Sequence, residues 1–122
     1  MRELGVAIND LHQKAMELAD EAFYAKRREE LDIAQTKYLE AFDYEKGAAM
    51  LLVNDYTLEP TRSVFFRSAA SLLLNLPFPD HAHFRDAERM IAYGLSGNPP
   101  EEIAEELRGI WQELVGLLQP IV

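Results

Sequence analysis

Two histidines, His81 and His83, stand beside Asp80 and Asp86 in a mixed imidazole and carboxylate set of metal-ligating side chains. Imidazole nitrogens and carboxylate oxygens are the donors that zinc and other divalent metals take. Residues two apart on a helix point away from each other, so both rings reach one ion only from a loop. The third histidine, His12, is far away in sequence, and the spacing matches no zinc pattern. A solvated loop accounts for the pair, and His12 reads as a surface or half-buried side chain without a partner.

A second cluster, Glu101, Glu102, Glu105 and Glu106, offers carboxylates at helical spacing. Di-metal helical bundles need Glu-x-x-His on facing helices, and the chain has none. Acids at the start of a helix instead offset its dipole and solvate an exposed face. The sequence has no cysteine, which removes disulfides, thiolate zinc sites and thiol nucleophiles. It also lacks a glycine-rich phosphate loop and a Gly-x-Ser-x-Gly elbow. The expectation is a protein that is not an enzyme and carries no metal or cofactor.

The elements around these residues follow from length and patterning. A chain of 122 residues with 48% hydrophobic side chains has the material for one domain with a core. Its 12 basic and 21 acidic residues give a net charge of −9. Such a field repels phosphate backbones, so no nucleic-acid partner is expected. The most apolar run, Ala69 to Leu76, is interrupted by Ser71 and Asn75 and is too short to cross a bilayer. The first residues carry Glu3 and Asp10 and no long apolar run, unlike a secretory signal. The expected setting is cytoplasmic, with no membrane partner.

Apolar periodicity predicts five helices and an all-α fold. The first, 5–27, aligns Ile8, Leu11, Ala15, Leu18, Ala22 and Ala25 at steps of three and four. The polar run Lys26–Glu30 holds neither Gly nor Pro, so a turn there is inferred by comparing the two halves of the chain; one continuous helix is the alternative. The second helix spans 30–53. The third runs from Pro60 to about 76, with Phe66, Ala69, Ala70 and Leu73 on one face. Pro77-Phe78-Pro79 stops it, and Asp80 is the expected N-cap of a fourth helix ending near Ser96-Gly97. Asn98-Pro99-Pro100-Glu101-Glu102 reads as a capping side chain, prolines in a first turn and acids at the dipole's positive end. The fifth helix, 100–118, places Ile103, Leu107, Ile110, Leu114 and Leu117 on one stripe.

One apolar pattern occurs twice, 53 residues apart: Leu31, Ala34, Tyr38, Ala41, then Phe84, Ala87, Ile91, Gly94. Large and small residues alternate on one helical face, and the small ones let a neighbouring helix come close. The pattern resembles degenerate tetratricopeptide repeats, whose units are antiparallel helix pairs. Leu18, Ala22 and Ala25, and later Phe66, Ala70 and Leu73, match the first-helix positions, and Pro99 matches the closing proline. The family's Trp, Leu-Gly and Tyr are missing, the loop Pro77–His83 is long, and 53 exceeds the period of roughly 34 residues. The block Glu59–Glu101 also resembles small bacterial proteins described as tetratricopeptide-like. The implied architecture is one right-handed α-α superhelix over 1–122, with a helical pair at 5–53, a pair at 60–97 and a closing helix at 100–118.

In such repeats the first helices line a concave face that binds extended peptides, sometimes clamping a terminal carboxylate. The resemblance places Met16, Ala19, Phe23, Lys26 and Arg27 of helix one there, with Val64, Arg67, Ser71, Leu74 and Asn75 of helix three. Arg67 and Asn75 fall at clamp positions with Lys26 or Arg27 assisting, and Arg67 pairing with a neighbouring Glu is the structural alternative. The expected function is a non-catalytic protein- or peptide-binding module, an adaptor or a subunit of a larger assembly. The alternative is a self-associating structural protein. Trp111 and Val115 lie off the fifth helix's main stripe and, with the tail Gln119–Val122, suggest a homodimer through the C-terminal helix.

Overall fold

A computed structural model describes residues 2–119, with side chains from residue 4 onward. Five α-helices follow one another: α1 (Arg2–Arg27), α2 (Leu31–Leu51), α3 (Thr61–Leu74), α4 (His81–Leu95) and α5 (Glu101–Leu118). A short 3₁₀ turn, Tyr56–Leu58, precedes α3, and no strand occurs among the described residues. The fold is all-α. Each helix packs on its neighbours in sequence, and α3 also meets α5.

Small residues line the buried helix faces. Ala15, Ala22 and Ala25 of α1 and Ala34, Ala41, Ala48 and Ala49 of α2 have no exposed surface. Ala87 and Phe66 are likewise at 0%. A Cβ on Gly94 of α4 would stand 3.1 Å from Leu107 Cδ1 and 3.3 Å from Phe66 Cβ. There α3, α4 and α5 meet at a spacing where even a methyl group would press on its neighbours. The stripe of α3 is buried as expected at Phe66, Ala69, Ala70 and Leu73.

Two stripe positions depart from expectation. Leu31 is the first residue of α2, directly after the turn, and is 38% exposed. Leu117 is 46% exposed while Leu118 is buried, since a step of four from Leu114 stays on the core face better here than a step of three. Pro120, Ile121 and Val122 of the expected apolar tail lie outside the described residues.

The turn between α1 and α2 is real and falls at residues 28–30. The N–H of Glu30 donates to Ala25 O at 2.9 Å and that of Glu29 to Lys26 O at 3.1 Å. These crossed bonds are a Schellman closure, whose pivot must be left-handed. The pivot is Glu29, with φ 62°, where glycine is the usual occupant. Lys26 and Arg27 sit in the last turn of α1, favourably for its dipole.

The start of α5 also differs. No side chain caps it; Pro100 is extended (φ −55°, ψ 150°) and the helix begins after it. A proline following Pro99 holds that residue out of the α conformation, so the Pro-Pro pair delays the helix. Asn98 instead donates its backbone N–H to Glu59 Oε2 at 2.9 Å. Asp80 does cap α4: it accepts from His83 N at 3.0 Å, and its own N–H donates to His83 Nδ1 at 3.1 Å. His83 thus completes a capping box where Glu or Gln is usual.

One buried cation ties three helix ends together. Arg62, fully buried at the start of α3, donates from Nε to Val53 O at 2.9 Å and from Nη2 to Tyr93 O at 2.6 Å. It also reaches Gly94 O at 3.3 Å and lies 3.6 Å from Glu59 Oε2. The rings of Tyr56 and Phe66 lie over its guanidinium at 5.1 and 5.2 Å. Carbonyls left open near the ends of α2 and α4 therefore find their donor in one planar fork. The Glu59 carboxylate is held in turn by the N–H groups of Ser63 and Asn98.

Candidate functional site

The exposed side of α3 carries Val64, Arg67, Ser68, Ser71 and Leu74, all half-buried, and ends at exposed Asn75. Steps of three and four keep these residues on one face. The opposite face supplies the core, so packing itself orients this stripe toward solvent. Side chains of α1 and α5 border it.

On the α1 side, Lys26 Nζ donates to Asn75 O at 2.8 Å and stands 6.0 Å from the Tyr38 ring. Burial pushes the Tyr38 phenol's pKa above its ordinary value. Asn75 turns its amide back to Ser71 O at 2.9 Å. Phe23 is 48% exposed, meets Tyr24 edge-on at 5.5 Å, and has the Arg27 guanidinium 5.8 Å from its ring centre. Arg27 makes no ion pair among the described residues. On the α5 side, Arg67 is paired with Glu106.

The structure thus joins Lys26, Asn75 and Ser71 through hydrogen bonds, and Phe23 with Arg27 through cation–π contact. Arg67 stands apart. Eight residues along a helix amount to about 12 Å, so Arg67 and Asn75 mark two ends of a stripe. An extended segment of about four residues spans that distance, whereas a single carboxylate does not.

Two open depressions lie elsewhere, on the outer side of α1 and α2. The larger, about 530 Å³, is lined by Glu21, Tyr24, Arg28, Glu30, Ile33 and Lys37. Its charges pair off, Lys37 with Glu21 at 3.3 Å and Arg28 with Glu30 at 2.9 Å. The smaller, about 340 Å³, runs along α2 past Asp32, Thr36 and Glu40. Neither offers a charged ligand an unpaired cation.

Of the other residues first read for chemistry, His83 is engaged by Asp80, and Glu106 by Arg67. Glu101 pairs with Arg108 at 3.0 Å. His12, expected to lack a partner, has one: its Nδ1 lies 2.8 Å from Oε1 of Glu45, a fully buried carboxylate on α2. Residue spacing carried the signal. Tyr38, Ala41, Glu45, Ala48 and Leu52 form one 3–4 stripe, so a charge sits at a core position and must be paired. The same reasoning applies to Arg62 on the stripe of Phe66, Ala69 and Leu73.

Compared with protein-family models, curated proteins and solved structures, the chain finds no significant match. No helix among the described residues is long and apolar enough to cross a membrane.

Proposed function

We propose that this chain is a non-catalytic helical module, tetratricopeptide-like in arrangement, that binds a protein segment along the exposed face of α3. Its place is in an adaptor or a subunit of a larger cytoplasmic assembly. The observation that carries this reading is the junction of Lys26, Asn75 and Ser71, which makes one surface of α1 and α3 with Phe23 and Arg27 open beside it. A cation next to an exposed aromatic ring suits a segment carrying a carboxylate and an apolar side chain. The ladder from Asn75 to Arg67 then gives such a segment a direction.

The test is selection from a peptide library displayed with free C-terminal carboxylates, with the amidated library as control. The proposal expects the wild type to enrich acidic peptides, and the Lys26→Glu/Arg27→Glu double variant to lose that enrichment while keeping its helical spectrum. Equal enrichment by both proteins, or none by the wild type, contradicts it.

A second reading, self-association as a homodimer through α5, is favoured by one observation. Trp111 and Leu117 on that helix are both 46% exposed. Equilibrium sedimentation decides it: a species of twice the 13.9 kDa chain mass supports the dimer, and the 13.9 kDa species alone at high concentration removes it.

A further inference from the structure

The larger depression on the outer side of α1 and α2 lies off the peptide face proposed above, and one spacing rule orders its lining. Each of two segments supplies an acid, an apolar residue three positions on, and a base four further. These are Glu21, Tyr24 and Arg28 along α1 into the turn, then Glu30, Ile33 and Lys37 from the turn into α2. The two helices run antiparallel, so the acid of one lies beside the base of the other. Glu21 Oε2 stands 3.3 Å from Lys37 Nζ, and Glu30 Oε1 stands 2.9 Å from Arg28 Nε. Between these ion pairs Tyr24 and Ile33 are 57% and 49% exposed, around a hollow of about 530 Å³. Two large apolar side chains thus stand in water at the centre of charges whose signs alternate around them.

We propose that this depression is an interface that takes a second copy of the same chain across a two-fold axis. The charge pattern is its own complement. When the second copy is turned over so that each helix runs antiparallel to its counterpart, Tyr24 meets the partner's Tyr24 and Ile33 meets the partner's Ile33. Glu21 then faces the partner's Arg28, and Lys37 faces the partner's Glu30, each twice, as an isologous contact requires. None of the four charges falls against its own sign. The other two-fold setting, with the axis along the helices, brings Glu40 of the adjoining depression against the partner's Glu17, one turn before Glu21. Like charges oppose that setting. Ion pairs this exposed hold the free chain weakly, so exchanging them between copies costs little while the apolar pair leaves water. Six side chains are fewer than the roughly 20–30 a side of a stable complex, so the association is a weak one, formed at high protein concentration.

The experiment is a charge-swap mixing test on the full chain, read by equilibrium sedimentation up to millimolar concentration, with helical spectra confirming that each variant folds. The wild type is expected to form a species of twice the 13.9 kDa chain mass. Ile33→Asp is expected to weaken that association at least tenfold. Lys37→Glu alone sets Glu against Glu across the axis, and Glu30→Lys alone sets Lys against Lys, so each is expected to sediment as the single chain. Mixed in equal amounts, the two variants regain an opposite pair at both ends and are expected to form a mixed dimer near the wild-type affinity. Local damage to either variant would not be repaired by mixing. A wild type that stays at 13.9 kDa, or a mixture that stays monomeric, overturns the proposal. So does a dimer that survives Ile33→Asp and is lost in Trp111→Ala, which would place the contact on α5.

Discussion

Glu29 holds a backbone conformation that L side chains resist, at φ 62° in the closure of α1. A left-handed residue other than glycine costs about 1–2 kcal/mol, and glycine at the same place loses about 0.5–1 kcal/mol in unfolded-state freedom. Glu29→Gly is therefore expected to stabilise the protein by about 0.5–1 kcal/mol in urea unfolding. No gain would mean that the Glu29 side chain contributes as much as the strain removes. The turn itself carried no Gly or Pro in the sequence, which is why only the likeness between the two halves of the chain located it. Glu45 and Arg62 show what was legible at this scale and passed over. Each is a charge on an apolar stripe, and periodicity read as hydrophobic alone hides the partner that such a charge requires.

Among the elements, three helix ends depend on one fork of donors. A Cβ at Gly97 would lie 2.7 Å from Arg62 Cζ and 3.0 Å from Glu59 Oε2, inside the space of both groups. Gly97→Ala is expected to cost about 1–3 kcal/mol, because fully buried Arg62 has nowhere to move. Denaturant midpoints measure this, and an unchanged midpoint would show that the clasp yields freely. Phe66 sits where α3 meets Gly94 and Tyr93, so Phe66→Ala is expected to lose about 3–5 kcal/mol. A loss under about 1 kcal/mol would place Phe66 outside the core. Helix existence and the small-residue contacts at Ala34, Ala87 and Gly94 were legible from spacing alone. The late start of α5 was not, because prolines that suit a first turn equally suit the extended residues ahead of it.

At the scale of the molecule, five helices packed in sequence leave α3 with its inner face in the core and its outer face open between α1 and α5. The sequence placed Phe23, Lys26, Arg27, Ser71 and Asn75 on that side through the repeat resemblance. It offered the pairing of Arg67 with a Glu as the alternative, and that pairing is what the fold holds. It did not reveal that the Glu is Glu106 or that Lys26 bonds the Asn75 carbonyl, since both are contacts between residues 39 or more positions apart. The proposed face is thus divided: at one end Phe23 and Arg27 are exposed beside the Lys26–Asn75 bond, and the Arg67 end already holds a carboxylate. The most direct measurement is amide NMR of the wild type titrated with the acidic peptide that the library enriches most. Shifts confined to Phe23, Lys26, Arg27, Ser71 and Asn75, extending toward Arg67 as the peptide is lengthened, are the expected result. Shifts centred on Trp111 of α5, or on Tyr24 and Ile33 of the outer depression, would contradict the account.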